Sequence, residues 1–305
     1  MDQVTMSVVQ PRTFFGKGAR ERNLEQADAY VAEAARQGAQ LVLLPETYPG
    51  EWAAPVTWTP VDELNEIAER HGVYLVGGFA EPLDDEGVRC YNTLTLHSPD
   101  GVEIGRYRRT TPSHTPWIYK GGRYWDFDWV NATELPVYDT DLGKIGIIMC
   151  SEVYATECSR ALALKGADIA LLPAGLVGPH TSSYPTWRTL VWARAIENIM
   201  FTAVCSNIPV PDDIELDESQ QGGIAMICSP EEILVDESKE GVFTSTLDLA
   251  RVRHLREDHD RLGKLDDVVY GDLPWRTKPG NLRDWRRDAV LKANPVLLTG
   301  SPDPS

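Results

Sequence analysis

Short apolar runs of strand length alternate with helical stripes along most of this chain, and that alternation restricts it to sheets covered by helices. Thr5–Gln10 reads as a strand. Asn23–Gln37 follows with Ala27, Ala29, Tyr30, Val31, Ala34 and Ala35 on one helical face. Leu41–Pro45 is a short buried strand, Val61–His71 a second helix and Val73–Phe79 another strand. Asn92–His97 and Val102–Arg108 flank Ser98, Pro99, Asp100 and Gly101, a turn sequence that predicts a β-hairpin. Arg109–Glu134 is rich in aromatic residues and glycine without a clean period, and reads as a loop over a functional site.

The alternation then resumes. It predicts a strand ending at Cys150, a helix to Lys165, a strand over Asp168–Leu172, a helix over Pro185–Ile199 and a strand over Met200–Ser206. Gly223–Asp248 holds three more β runs, and Arg251–Asp258 reads as helical. Hairpin and crossover signals together imply mixed sheets. Two such sheets packed face to face, with helices outside, accommodate the strands. No repeat, low-complexity tract or internal boundary stands out.

Composition narrows the functional classes. The formal charge of -17 argues against binding nucleic acid or an anionic membrane surface. The five cysteines are odd in number and form no C-x-x-C pair, so neither disulfides nor a structural zinc site is supported. No apolar run approaches membrane-spanning length, and the first residues lack a basic segment followed by an apolar one. A reducing, cytoplasmic setting fits best.

Two strand ends carry chemistry. Cys150 closes the run Lys144–Met149 at a strand-to-helix corner, where helix amides favour the nucleophilic thiolate. Glu46 closes the run Leu41–Pro45. A thiol and a carboxylate at two such corners are the parts of a nucleophile and its base. A cysteine in isolation is more often a small core residue. Cys158, Cys205 and Cys228 are read that way, and Cys90 as a hairpin-edge residue.

Several segments together resemble the nitrilase, or carbon–nitrogen hydrolase, superfamily over roughly residues 5 to 255. Leu43-Leu44-Pro45-Glu46 resembles its glutamate motif. Gly77-Gly78, Tyr91-Asn92-Thr93, Pro99-Asp100-Gly101 and Tyr107-Arg108 resemble the approach to its lysine motif. Cys150-Ser151-Glu152, with Glu157, Arg160, Gly166-Ala167-Asp168 and Leu172-Pro173-Ala174, resembles its nucleophile motif. Arg194–Asn198 and Asn207 fit as well. The resemblance implies a four-layer αββα sandwich that is a homodimer or higher homo-oligomer. A catalytic domain is expected over residues 1–270, and the tail from Gly271, rich in Pro, Trp and Arg, reads as an extension over 271–305 packed on its own or a partner subunit. It also implies attack by Cys150 on a small amide, carbamoyl or nitrile substrate, Glu46 as base, a thioester, and no metal or organic cofactor.

Two departures matter. Arg109 occupies the family's lysine position, and arginine is forked, larger and never neutral. Lys120 could fold back as a substitute. Residues 110 to 133 hold no glutamate where many members carry a second one. A pocket with arginine kept and a carboxylate lost is expected to lower the Cys150 pKa and weaken water activation. Trp117, Lys120, Glu152, Tyr154 and His180 are candidate substrate-binding residues; Glu152 also suits a helix start. The first reading is an amidase or N-carbamoyl amide hydrolase. The alternatives are an acyltransferase with a non-water acceptor, a nitrilase proper, for which Cys-Trp-Glu would be usual, and a catalytically silent binding protein.

Overall fold

Alternate residues of the inner strands enter different cores. In the computed structural model, which describes residues 1–15, 19–52, 54–111, 127–177, 184–210 and 222–259, the first sheet shows this directly. It runs β15 (Gly241–Asp248), β1 (Gln3–Gln10), β3 (Leu41–Leu43), β4 (Tyr74–Pro82), β5 (Arg89–His97) and β6 (Glu103–Arg108), with β7 (Asp128–Trp129) beside β5. Met6, Val8, Leu41, Leu43 and Val76 face one apolar cluster; Val9, Val42 and Leu75 face another. A strand buried on both faces must be apolar almost throughout, which is why these runs were legible.

The second sheet runs β14 (Ile233–Glu237), β13 (Ala225–Cys228), β11 (Phe201–Cys205), β10 (Ile169–Leu171), β9 (Gly143–Ile147) and β8 (Val137–Thr140). Its Ile145, Ile147, Ile169 and Leu171 share the central cluster with Met6, Leu41 and Leu43 of the first sheet. A short parallel ribbon, β2 (Arg12–Thr13) with β12 (Ile208–Pro209), links strand exits from the two sheets.

Helices cover both outer faces. Ala27, Val31 and Ala34 of α1 (Ala19–Arg36), with Leu64, Ile67 and Ala68 of α2 (Val61–His71), pack on the first sheet. Ala161 and Leu162 of α3 (Thr156–Leu164), with Trp187, Val191 and Ala195 of α4 (Tyr184–Asn198), pack on the second. The layers are therefore α, β, β, α, the architecture expected. Near the ends of the described chain, α5 (Leu249–His259) is held by Arg256, whose Nη1 donates to Asp168 at 2.8 Å and whose Nε donates to the Ile199 carbonyl at 2.7 Å. No helix among the described residues is long and apolar enough to cross a membrane.

The hairpin joins β5 and β6 as predicted. The helix expected directly after Cys150 is instead a 3₁₀ turn, Cys150–Tyr154, broken from α3 at Ala155, whose φ of -86° and ψ of 101° are extended. Cys90 is not an edge residue: it is fully buried in a small satellite core with Val56, Ala80 and Phe127. Residues 112–126 and 260–305, including the proposed extension, lie outside the described residues.

Candidate active site

The parallel strands β1, β3 and β4 of one sheet, and β9, β10 and β11 of the other, deliver their carboxyl ends to a common region. Glu46 lies just beyond β3 and is 1% exposed. Its backbone carbonyl accepts a hydrogen bond from Asn207 Nδ2 at 2.9 Å, so a residue after β11 of the second sheet pins a corner of the first. Asn207 is itself fixed by Thr13, whose Oγ1 donates to its Oδ1 at 2.7 Å, and by its own donation to the Gly175 carbonyl at 3.2 Å. Glu46 Oε1 accepts from Asn92 Nδ2 and from Arg109 Nη1, each at 2.7 Å. Oε2 is buried and takes no N–H or O–H partner among the described residues.

Arg109 follows β6 and is also 1% exposed, so its charge is met inside the protein. Besides Glu46, its Nη2 donates to Ser151 Oγ at 2.6 Å. Buried ion pairs of this kind hold when their remaining donors also find acceptors. The backbone beyond Arg109 is held by Glu152. That carboxylate accepts from the N–H of Met149 at 2.6 Å, Thr110 at 2.8 Å and Thr111 at 3.1 Å, and from the hydroxyls of Thr110 and Tyr107. The segment carrying Arg109 is thereby tied to the segment carrying Cys150. Burial and the Glu152 charge drive the Tyr107 phenol well above its usual range, so it stays a donor.

Cys150 sits at a tight elbow. Its φ is +53°, in the left-handed region that a residue with a Cβ seldom adopts, and its N–H donates to the Pro173 carbonyl at 2.8 Å. Such strain is held only where the surroundings over-determine it. The Glu46 carboxylate, the Arg109 guanidinium and the backbone at Gly175 all lie close enough to act on the thiol. Burial, then the Glu46 charge, push its pKa up to about 12, while Arg109 pulls the other way. The sequence-based expectation of a depressed pKa is corrected here. That expectation counted the arginine but not the burial of the thiol near a carboxylate. The resting group is a neutral thiol near a carboxylate rather than a free thiolate.

The structure thus brings Glu46, Arg109 and Cys150 together. Tyr154 is 48% exposed and stands edge-on to Trp187 at 6.0 Å. Glu152, a candidate substrate-binding residue by sequence, is almost fully buried with its oxygens engaged by five donors, which tie the Arg109 and Cys150 segments together. Trp117, Lys120 and His180 lie outside the described residues. Sequence reasoning did not assign site roles to Asn92 or Ser151. Ser151 adjoins the nucleophile and Asn92 lies within the Tyr91-Asn92-Thr93 segment of the resemblance, so both had a usable signal, although nothing local placed Asn92 beside Glu46. Among the described residues no group of three or more His, Cys, Asp or Glu could hold a metal ion.

Comparison with known proteins gives the family and the fold. A family model described as carbon-nitrogen hydrolase matches residues 5–257. The chain is 30% identical over 249 residues to a deaminated glutathione amidase of Synechocystis sp., covering 77% of this chain and 89% of that protein. It is 29% identical over 270 residues to omega-amidase NIT2-A of Xenopus laevis, covering 84% and 93%. The solved carbon-nitrogen hydrolase from Helicobacter pylori G27 superposes with a TM-score of 0.70 at 21% identity, covering 88% of this chain and 98% of that one, a likeness of fold.

Proposed function

Since the chain belongs to the carbon–nitrogen hydrolase family and acts as an enzyme on carbon–nitrogen bonds, we propose that it cleaves a small non-peptide amide or N-carbamoyl amide through a thioester on Cys150. The observation that carries this reading is the burial of Cys150 within the influence of Glu46, a carboxylate whose Oε1 is held by Asn92 and Arg109 while its Oε2 takes no hydrogen bond among the described residues.

The thiol proton passes to Glu46 as sulfur attacks the carbonyl carbon. Negative charge develops on the carbonyl oxygen. The Arg109 guanidinium, which already favours the thiolate of Cys150, favours that charge for the same reason. As the C–N bond breaks, Glu46 gives the proton to the departing nitrogen. Glu46 then takes a proton from water, hydroxide attacks the thioester, and the acid leaves with Cys150 restored as a thiol. One carboxylate therefore serves both halves of the reaction. Two relatives are amidases by name, which supports an amide over a nitrile.

The test is intact-protein mass spectrometry with a panel of small amides, carbamoyl compounds, esters and nitriles, with ammonia release followed in parallel and Cys150→Ala as control. An acyl adduct absent from the variant, with ammonia and free acid formed, is the expected outcome. An adduct that persists until an amine is added would make the protein an acyltransferase. A broad panel giving neither adduct nor ammonia would overturn the amidase reading.

A further inference from the structure

Arginine and a carboxylate ordinarily pair through two parallel hydrogen bonds, the fork of one spanning both oxygens of the other. Arg109 and Glu46 do not pair this way. Nη1 donates to Glu46 Oε1 at 2.7 Å, but Nη2 donates to Ser151 Oγ at 2.6 Å. Asn92 Nδ2 joins Nη1 on the same Oε1 at 2.7 Å. N–H donation to this carboxylate therefore converges on one oxygen, and the buried Oε2 receives none among the described residues.

That asymmetry matters to a base. A second guanidinium bond on Oε2 would stabilise the charged carboxylate, lower its proton affinity and occupy the place the thiol proton must reach. We propose that Ser151 is a positioning residue that holds the second arm of Arg109 off Glu46, keeping Oε2 open to the proton of Cys150. The inference rests on the reading of Cys150 as nucleophile and Glu46 as base. A hydroxyl suits the task. It accepts a hydrogen bond, is small enough to follow the nucleophile directly, and is neutral, so it does not compete with Glu46 for the guanidinium charge. Without it, Nη2 loses the hydroxyl that draws it away from Glu46, and Oε2 of that ion-pair partner is open among the described residues.

Iodoacetamide provides a test that does not need turnover. The S–C bond forms, iodide leaves with the C–I electron pair, and the thiol proton goes to Glu46 Oε2. Alkylation at Cys150 would be timed by peptide mapping across pH for the wild type, E46Q, S151A, S151T, R109K and R109K/S151A. S151A is expected to slow the reaction about tenfold or more at neutral pH, with the loss shrinking as hydroxide takes over from Glu46. S151T, which keeps the hydroxyl, is expected to recover most of the rate. In the R109K background, where a point-charge ammonium cannot span two oxygens, removing the hydroxyl should change the rate by less than about threefold.

A wild-type rate in S151A, or equal losses in the arginine and lysine backgrounds, would overturn the proposal and leave the base intact. A wild-type thiol no more reactive than that of E46Q would remove Glu46 as the base, and this inference with it.

Discussion

Glu152 joins two loops through one carboxylate, and its replacement separates charge from shape. Glu152→Gln keeps the volume but turns an acceptor into a donor facing Tyr107, Thr110, Thr111 and Met149. We expect a loss of about 2–4 kcal/mol of stability, seen in the urea midpoint, together with a fall in kcat as Arg109 and Cys150 lose registration. Unchanged kcat in folded protein would show that the clasp does not position the reaction centre. At this scale the chain was unevenly legible. Cys150 and Glu46 could be found because each ends an apolar run, a local signal. The state of the thiol could not, because its pKa is set by burial and by a carboxylate from another sheet. The role of Glu152 was left between two readings, since all its partners but Met149 come from a strand end far earlier in the chain.

Among the elements, β4 governs the Glu46 corner by its closeness. Gly78 donates to the Tyr48 carbonyl at 2.8 Å and accepts from Gly50 N–H at 3.1 Å, so the chain leaving Glu46 runs against β4. A Cβ at Gly78 would stand 2.6 Å from Thr47 N and 2.9 Å from Leu94 Cδ2. Gly78→Ala must therefore displace the backbone that carries the carboxylate. A fall in kcat of about tenfold or more is expected, with a stability loss of about 1–3 kcal/mol by thermal melting. An alanine variant with wild-type turnover would mean the corner tolerates displacement. Strands buried on both faces, such as β3 and β10, were visible as apolar runs. β8 was not, because its residues Val137–Thr140 are only partly covered and its second half, Asp139 and Thr140, is polar. The break after Cys150 was hidden too, since it depends on the elbow at Cys150 and on Glu152 accepting from Met149.

For the whole molecule, buried ionisable groups bound the pH range of stability from both sides. His97 is fully buried between Asn65 and Thr95, and burial lowers its pKa to about 4 from 6.5. Unfolded chain then binds more protons than folded chain between those values, so stability falls as pH drops through that window, by about 3 kcal/mol once complete. Burial raises Cys90, Cys150, Cys158 and Cys228 from 9.0 to about 12. There the folded chain keeps protons that the unfolded chain loses, so stability is full below pH 9 and declines above it. Urea midpoints from pH 4 to 11 should trace a plateau with two falling edges, and His97→Gln should soften only the acid one. A flat acid edge in the wild type would contradict the buried neutral imidazole. The layer architecture was legible from the alternation of elements, but the pairing of β1 with β15 was not, because no local pattern names so distant a partner. That pairing has a consequence for synthesis. The second sheet is encoded entirely between β6 and β15, so a growing chain can complete it while one edge of the first sheet still waits for Gly241–Asp248 to leave the ribosome. Until then β1, with its apolar side chains, presents an edge of unpaired backbone N–H and C=O groups, the kind of surface that invites pairing with another nascent chain. The stretch of translation between β1 and β15 is therefore when this protein most needs a chaperone.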